Sequence, residues 1–160
     1  MRRQIRLPAV LLGVAAFAYL LDRVTKLLAE QYLAGRSPVQ IIAHVVQLNY
    51  TLNSGGAFGL FGGQPWLFFA ATLVVCAAIL AGAPRLASGA SAVGLGLVLG
   101  GALGNLTDRV IHGTGVSGRV VDFIDFHVWP VFNVADSAIV IGAVIVILAG
   151  ARHRVEHRGG

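Results

Sequence analysis

At 160 residues the chain has room for one domain, yet 56% of its residues are hydrophobic, 12% are charged and the mean hydropathy is +0.78, values that exclude an ordinary water-soluble protein and suit a bilayer. Twelve Lys and Arg against seven Asp and Glu give a net charge of +5; the basic residues gather at the two ends, which points to anionic lipid headgroups and away from nucleic acid. The single cysteine, Cys76, allows no intrachain disulfide and reads as a small buried apolar residue.

The first apolar run follows Arg6 and holds fifteen uncharged residues, Leu7 to Leu21, before Asp22. Carried on to residue 28 it reaches the ~20 residues that a membrane helix needs. Arg2, Arg3 and Arg6 ahead of it, with Ala16-Phe17-Ala18 inside it, also suit a cleaved signal peptide. That tripeptide lies within the apolar run and three more spans follow, so a retained span over 7–28 is expected. The next stretch, Val39 to Leu52, is β-prone. Spans two, three and four are predicted over 65–83, 87–108 and 133–151. In span three, Gly96, Gly100 and Gly104 recur at four-residue steps beside Gly94 and Gly101, a repeated G-x-x-x-G that predicts close helix packing. The expected fold is therefore an all-α integral membrane protein of four transmembrane helices, a single domain over 1–160.

Orientation follows from charge. Arg2, Arg3, Arg6, Arg85, Arg152, Arg154 and Arg158 place seven of the twelve basic residues in short segments on one side, which the positive-inside rule makes cytoplasmic. Both termini then lie inside, and the long connections 31–64 and 109–132 lie outside.

Helix rise sets the depth of the acids. Asp22 and Asp136 each stand fifteen uncharged residues from the nearest cytoplasmic arginine, or roughly 22 Å at ~1.5 Å per residue, inside a hydrocarbon core of ~30 Å. Asp108 lies twenty-two uncharged residues beyond Arg85, or about 33 Å, near the outer boundary. An acid within a span is costly and by default marks a functional site. Asp22 has Lys26 four residues later on the same helix face, the spacing of an ion pair. Asn105, Asp108 and Arg109 form a polar cap on span three and suggest structure or substrate positioning. Asp136 has no base near it in sequence, only Asn133 and Ser137; it is the best catalytic candidate. A second acid would allow two carboxylates to share a proton, activating water while polarising a peptide carbonyl. Asp122 and Asp125 both offer one, and the residues by themselves do not choose between them.

Other chemistries are poorly supplied. There is no H-E-x-x-H, and of His44, His112, His127, His153 and His157 only the last two have helical metal spacing, in a basic tail; no metal is expected. A serine and lysine pair could be drawn from Ser54 or Ser137 with Lys26, but no motif specifies it. A proton-coupled transporter would place acids in both halves of the bilayer, whereas the cytoplasmic halves of these spans hold none.

Five segments taken in order, Asp22-Arg23-Val24-Thr25-Lys26, Asn53-Ser54-Gly55-Gly56-Ala57-Phe58-Gly59, Gly100 to Arg109, Val120-Val121-Asp122-Phe123 and Phe132-Asn133-Val134-Ala135-Asp136-Ser137, resemble the motifs of the lipoprotein signal peptidase (signal peptidase II) family. The resemblance covers nearly the whole chain. It implies an aspartyl endopeptidase with Asp122 and Asp136 as the dyad, supported by Asn53, Asn105, Asp108, Arg109 and Asn133, and an Asp22 and Lys26 pair of structural role. It implies a diacylglyceryl-modified prolipoprotein as substrate, cut on the amino-terminal side of the lipidated cysteine, at the outer face of the bacterial cytoplasmic membrane. No cofactor is implied, a monomer is expected, and the β-prone stretch becomes a small extracytoplasmic β-rich region lying on the membrane. Two departures stand out: Gly56 where the family pattern suggests alanine, and a long glycine-bearing stretch from Val110 to Arg119. Phe58, Phe61, Trp66 and Trp129 are placed to anchor at the membrane interface.

Overall fold

The computed structural model describes residues 2–54, 64–113 and 118–156, with side chains throughout these except at 2–6, 65 and 152–156. Helix α1 (Arg2–Leu33) leads into strands β1 (Val39–Ile42) and β2 (Val46–Asn53), then α2 (Pro65–Gly82), α3 (Gly89–Ile111), strand β3 (Val120–Asp125) and α4 (Val134–Glu156). Segments Leu7–Leu33, Trp66–Arg85, Gly89–Ile111 and Val134–Ala151 are long and apolar enough to cross a membrane, so the chain is a multi-pass membrane protein. Gly56, Phe58, Phe61 and Gly115 lie outside the described residues.

Helix α1 runs past residue 28 because Leu27 to Leu33 contains no breaker. It stops where Gly35 takes a left-handed φ of 70° and the Arg36 amide bonds to the Leu33 carbonyl at 3.1 Å, a conformation open to glycine at little steric cost. Its buried positions are Leu11, Ala15, Ala18, Asp22, Lys26, Ala29 and Leu33, a three-and-four spacing that makes one stripe along the helix. The other faces, with Phe17, Leu20 and Leu27, are exposed and apolar, as hydrocarbon requires.

Helix α3 is the packing centre, and its glycines explain why. A Cβ on Gly96 would lie 2.6 Å from the Leu11 carbonyl oxygen of α1, and one on Gly101 would lie 2.5 Å from the Ala135 carbonyl oxygen of α4. Gly100 and Gly104 likewise face Ala15 and Asp22 of α1, while Gly94 faces Gly142 of α4. Two small-residue stripes on one helix thus let two partners approach to backbone contact. A short 3-10 turn, Ala83–Arg85, joins α2 to α3, whose first turn is capped by the Ser88 hydroxyl accepting from the Ser91 amide at 3.0 Å.

The strands form one antiparallel sheet in the order β1-β2-β3, with Thr51 opposite Asp122 and Asn53 opposite Val120. Strands β1 and β2 occupy the β-prone stretch. Residues 120–125 carry no strand assignment from sequence; they become β3 because β2 offers a free edge, and nearly all of that strand is buried. Along α1 and α3 an apolar cluster of Leu11, Ala15, Leu99 and Ala102 gives way to a polar layer, and α1 then meets β3 through Ala29, Leu33, Val121 and Phe123. The polar layer is the site.

Candidate active site

Asp122 sits within β3 and is 2% exposed. Asn53, at the end of β2, donates its side-chain amide to Asp122 Oδ2 at 2.8 Å, and Asn133 donates to Asp122 Oδ1 at 2.6 Å. Asn133 precedes α4 and caps it: its Oδ1 accepts from the Asp136 amide at 2.9 Å, while Asp136 Oδ2 accepts from the Asn133 amide at 3.3 Å. This reciprocal capping box is built from Asn and Asp. It places the Asp136 carboxylate in the first turn of α4, where the helix dipole is positive, and Asn105 of α3 donates to its Oδ1 at 2.8 Å. One asparagine, Asn133, therefore touches both acids.

Burial, joined by the charge of Asp136, raises the Asp122 carboxyl to about 7, against the opposing pull of the Asn53 and Asn133 amides and of Lys26. Asp125 is also buried, at 8% exposed, but donors surround its carboxyl. Gln47 donates to its Oδ2 at 2.7 Å and the His127 amide to its Oδ1 at 2.8 Å, and these bonds, with the Gln47 contact the larger, hold its carboxyl below the usual range. Three residues apart on a strand, Asp122 and Asp125 point to opposite faces.

Beneath the two acids lies a charge cluster on α1 and α3. Lys26 Nζ is 2.9 Å from Asp22 Oδ2 and 2.8 Å from Asp108 Oδ2, and donates to Asn105 Oδ1 at 2.7 Å. Asp22 Oδ1 accepts from the Ala135 amide at 2.9 Å, tying α1 to the start of α4. Asp108 also pairs with Arg23 and accepts from the Val121 amide at 3.1 Å. Arg109, next in sequence, turns the other way: its guanidinium lies 5.8 Å over the Phe68 ring of α2, bonds to the Asn105 carbonyl at 3.3 Å, and feels the charges of Asp136, Asp122 and Asp108. The polar cap expected on span three is thus divided, Asp108 toward α1 and Arg109 toward the acids.

All nine sequence-selected residues, Asp22, Lys26, Asn53, Asn105, Asp108, Arg109, Asp122, Asn133 and Asp136, fall in this one layer. Arg23, Gln47 and Phe68 were not selected. Arg23 follows Asp22 directly, but its partner is 85 positions away in sequence, and no local spacing signals such a pair. Ser137 bonds to the Asn133 carbonyl at 3.1 Å, an ordinary back-bond within the first turn. Among the described residues no group of three His, Cys, Asp or Glu could hold a metal ion.

Two apolar cavities meet at Asp136. One, about 450 Å³, is walled by Phe126, Trp129, Phe132, Val140 and Ile141; the other, about 290 Å³, lies among α2, α3 and α4 and includes Phe68, Asn105 and Arg109. The half-buried Asp136 therefore faces a cavity on two sides, while Asp122 lines neither.

The chain is similar to known proteins along most of its length. The family model for signal peptidase (SPase) II matches residues 14–152. A lipoprotein signal peptidase of Halothermothrix orenii is 42% identical over 136 residues, 84% of this chain and 90% of that protein. One of Mycobacterium avium is 44% identical over 147 residues, 91% of this chain and 79% of that protein. A solved bacterial membrane enzyme superposes with a TM-score of 0.79 at 30% identity, covering 90% of this chain and 88% of that one. By the match along most of its length and the likeness in sequence and fold, the chain belongs to the signal peptidase II family.

Proposed function

We propose that the chain, as one membrane-embedded peptidase domain over 1–160, removes signal peptides from diacylglyceryl-modified prolipoproteins, cutting on the amino-terminal side of the lipidated cysteine with Asp122 and Asp136 as the catalytic pair. The observation that carries the reading is that one asparagine holds both carboxyls while Asp122 keeps a proton up to about pH 7. With one proton between them, the ionised member takes a proton from water as its oxygen attacks the scissile carbonyl. The protonated member donates to the carbonyl oxygen. Collapse of the tetrahedral intermediate breaks the C–N bond, and a proton passes to the departing amine, the new amino terminus of the lipidated cysteine.

Each surrounding group has a part in this reading. Asn53, Asn105 and Asn133 orient the acids, Arg109 is placed to meet the substrate backbone, and Asp22, Lys26 and Asp108 brace the helices. The two apolar cavities suit the acyl chains and the signal segment, neither of which leaves the bilayer. The charge distribution supports a bacterial cytoplasmic membrane location with both termini inside and the sheet and acids at the outer face. Membrane lipids are the surrounding partners, and a monomer suffices because one chain supplies every group named. The test is cleavage by purified protein of a diacylglyceryl-modified prolipoprotein and of its unlipidated form. Cleavage of the lipidated form alone is expected; equal cleavage of both would remove the substrate assignment.

A further inference from the structure

Lys26 is the only lysine in the chain and is fully buried. Its ammonium has donors and no acceptor, and three oxygens surround it, from Asp22, Asp108 and Asn105. A brace between helices needs only the two carboxylates. The third contact has a separate effect, because an asparagine amide has two unlike ends.

A donor facing Asn105 from α1 requires the Asn105 oxygen on that side. The Asn133 amide nitrogen, 3.2 Å from the same oxygen, requires it too. The Asn105 NH2 group is then left pointing at Asp136 Oδ1, 2.8 Å away. Turned over, the amide would set its oxygen against that carboxylate and its NH2 against an ammonium. The charged groups around it are Asp22, Arg23 and Lys26 of α1, Asp108 and Arg109 of α3, Asp122 of β3 and Asp136 of α4. Within this set Lys26 is the cation in direct contact with the Asn105 side-chain oxygen.

We propose that Lys26 is a positioning residue of the hydrolysis: acting through Asn105, it ensures that an N–H and not an oxygen faces Asp136. The inference rests on the reading of Asp122 and Asp136 as the catalytic pair. Asn105 then presents an N–H donor to the Asp136 carboxyl during turnover. Without the ammonium only the weaker Asn133 contact at 3.2 Å holds the Asn105 oxygen in place, and a turned amide sets its oxygen against the Asp136 carboxylate.

Removing Lys26 by itself strands buried carboxylates, so the test variant is Asp22→Asn with Lys26→Met, which loses one charge of each sign and leaves Asp108 paired with Arg23. The measurement is the pH profile of kcat and KM on lipidated substrate. The acid limb of kcat is expected to move up by about one pH unit or more, the scale of one hydrogen bond to a charged group, with KM little changed. In an Asn105→Ala background the same pair of changes should move the limb no further, since the amide that transmits the effect is gone. Asp22→Asn with Lys26→Gln, which again supplies an N–H donor, should bring the limb back toward wild type. An unmoved limb in the Met variant, a second shift in the Asn105→Ala background, or a Gln variant displaced like the Met variant would each overturn the proposal. Should the Met variant fail to fold, Asp22→Asn with Lys26→Leu, which also removes the donor, is measured in its place and is expected to move the limb in the same direction. Asp122→Asn and Asp136→Asn are measured in parallel: if both turn over normally the catalytic reading itself fails, and if both are inactive while the limb stays put only the role of Lys26 fails.

Discussion

Asp122 and Asp125 stand three residues apart in β3, and exchanging each for Asn separates chemistry from scaffolding. At Asp122 the partners are two side-chain amides, from Asn53 at 2.8 Å and Asn133 at 2.6 Å. Asparagine offers one oxygen where the carboxylate offers two, so one buried donor loses its acceptor, a cost of about 1–3 kcal/mol in stability. The catalytic cost is separate and larger. The pair can no longer share a proton, and general acid and base catalysis worth ~100 to 10,000-fold should disappear, as it should in Asp136→Asn. Asp125→Asn loses one of the bonds from Gln47 and His127, so it should show a similar structural cost while keeping turnover within about a few fold. The assay is cleavage of lipidated substrate by detergent-purified variants matched for folded fraction. Wild-type-like turnover by Asp136→Asn would refute the aspartyl mechanism, whereas an inactive Asp125→Asn beside an active Asp122→Asn would move one member of the pair by three residues.

The raised Asp122 carboxyl has two further consequences. Activity should fall as pH rises through about 7, where Asp122 loses its proton, with the measured midpoint belonging to the coupled pair. Because its folded value lies above the unfolded one, Asp122 contributes stability that is fully present below about pH 4 and is lost as pH rises through about 7. Thermal midpoints between pH 5 and 8 should therefore decline less in Asp122→Asn than in wild type; parallel slopes would contradict the assignment. Gly101→Ala places a methyl group 2.5 Å from the Ala135 carbonyl oxygen, pushing α4 and Asp136 outward at about 1–3 kcal/mol in stability, whereas Gly13→Ala meets nothing within 4 Å and should melt as wild type does. In a Cys76-free background, Ser37→Cys should react with an impermeant thiol reagent in intact cells and Ser88→Cys should not; the opposite pattern would reverse the orientation.

The amount of apolar sequence determined the four helices, since a bilayer demands about 20 such residues per span and leaves the backbone no other way to satisfy itself. The glycine steps of α3 announced close packing for the same local reason: a missing Cβ is visible in sequence as a missing Cβ. The position of Asp22, Asp108 and Asp136 along their spans could be counted from the arginines at the opposite ends because helix rise is constant. Which partner each acid would find could not be counted. Asp108 meets Arg23 and Lys26 although Arg109 is its neighbour, because a helix turns adjacent side chains about 100° apart and only the packing of α1 on α3 brings the distant cations to it. Strand β3 exists because β2 presents an edge to pair with, and that pairing sends Asp122 toward Asn133 and Asp125 toward Gln47. From the residues alone the two acids were equivalent; the family motif distinguished them by analogy, and tertiary structure gives them different neighbours, setting one near the charge of Asp136 and the other among donors at the sheet's opposite face.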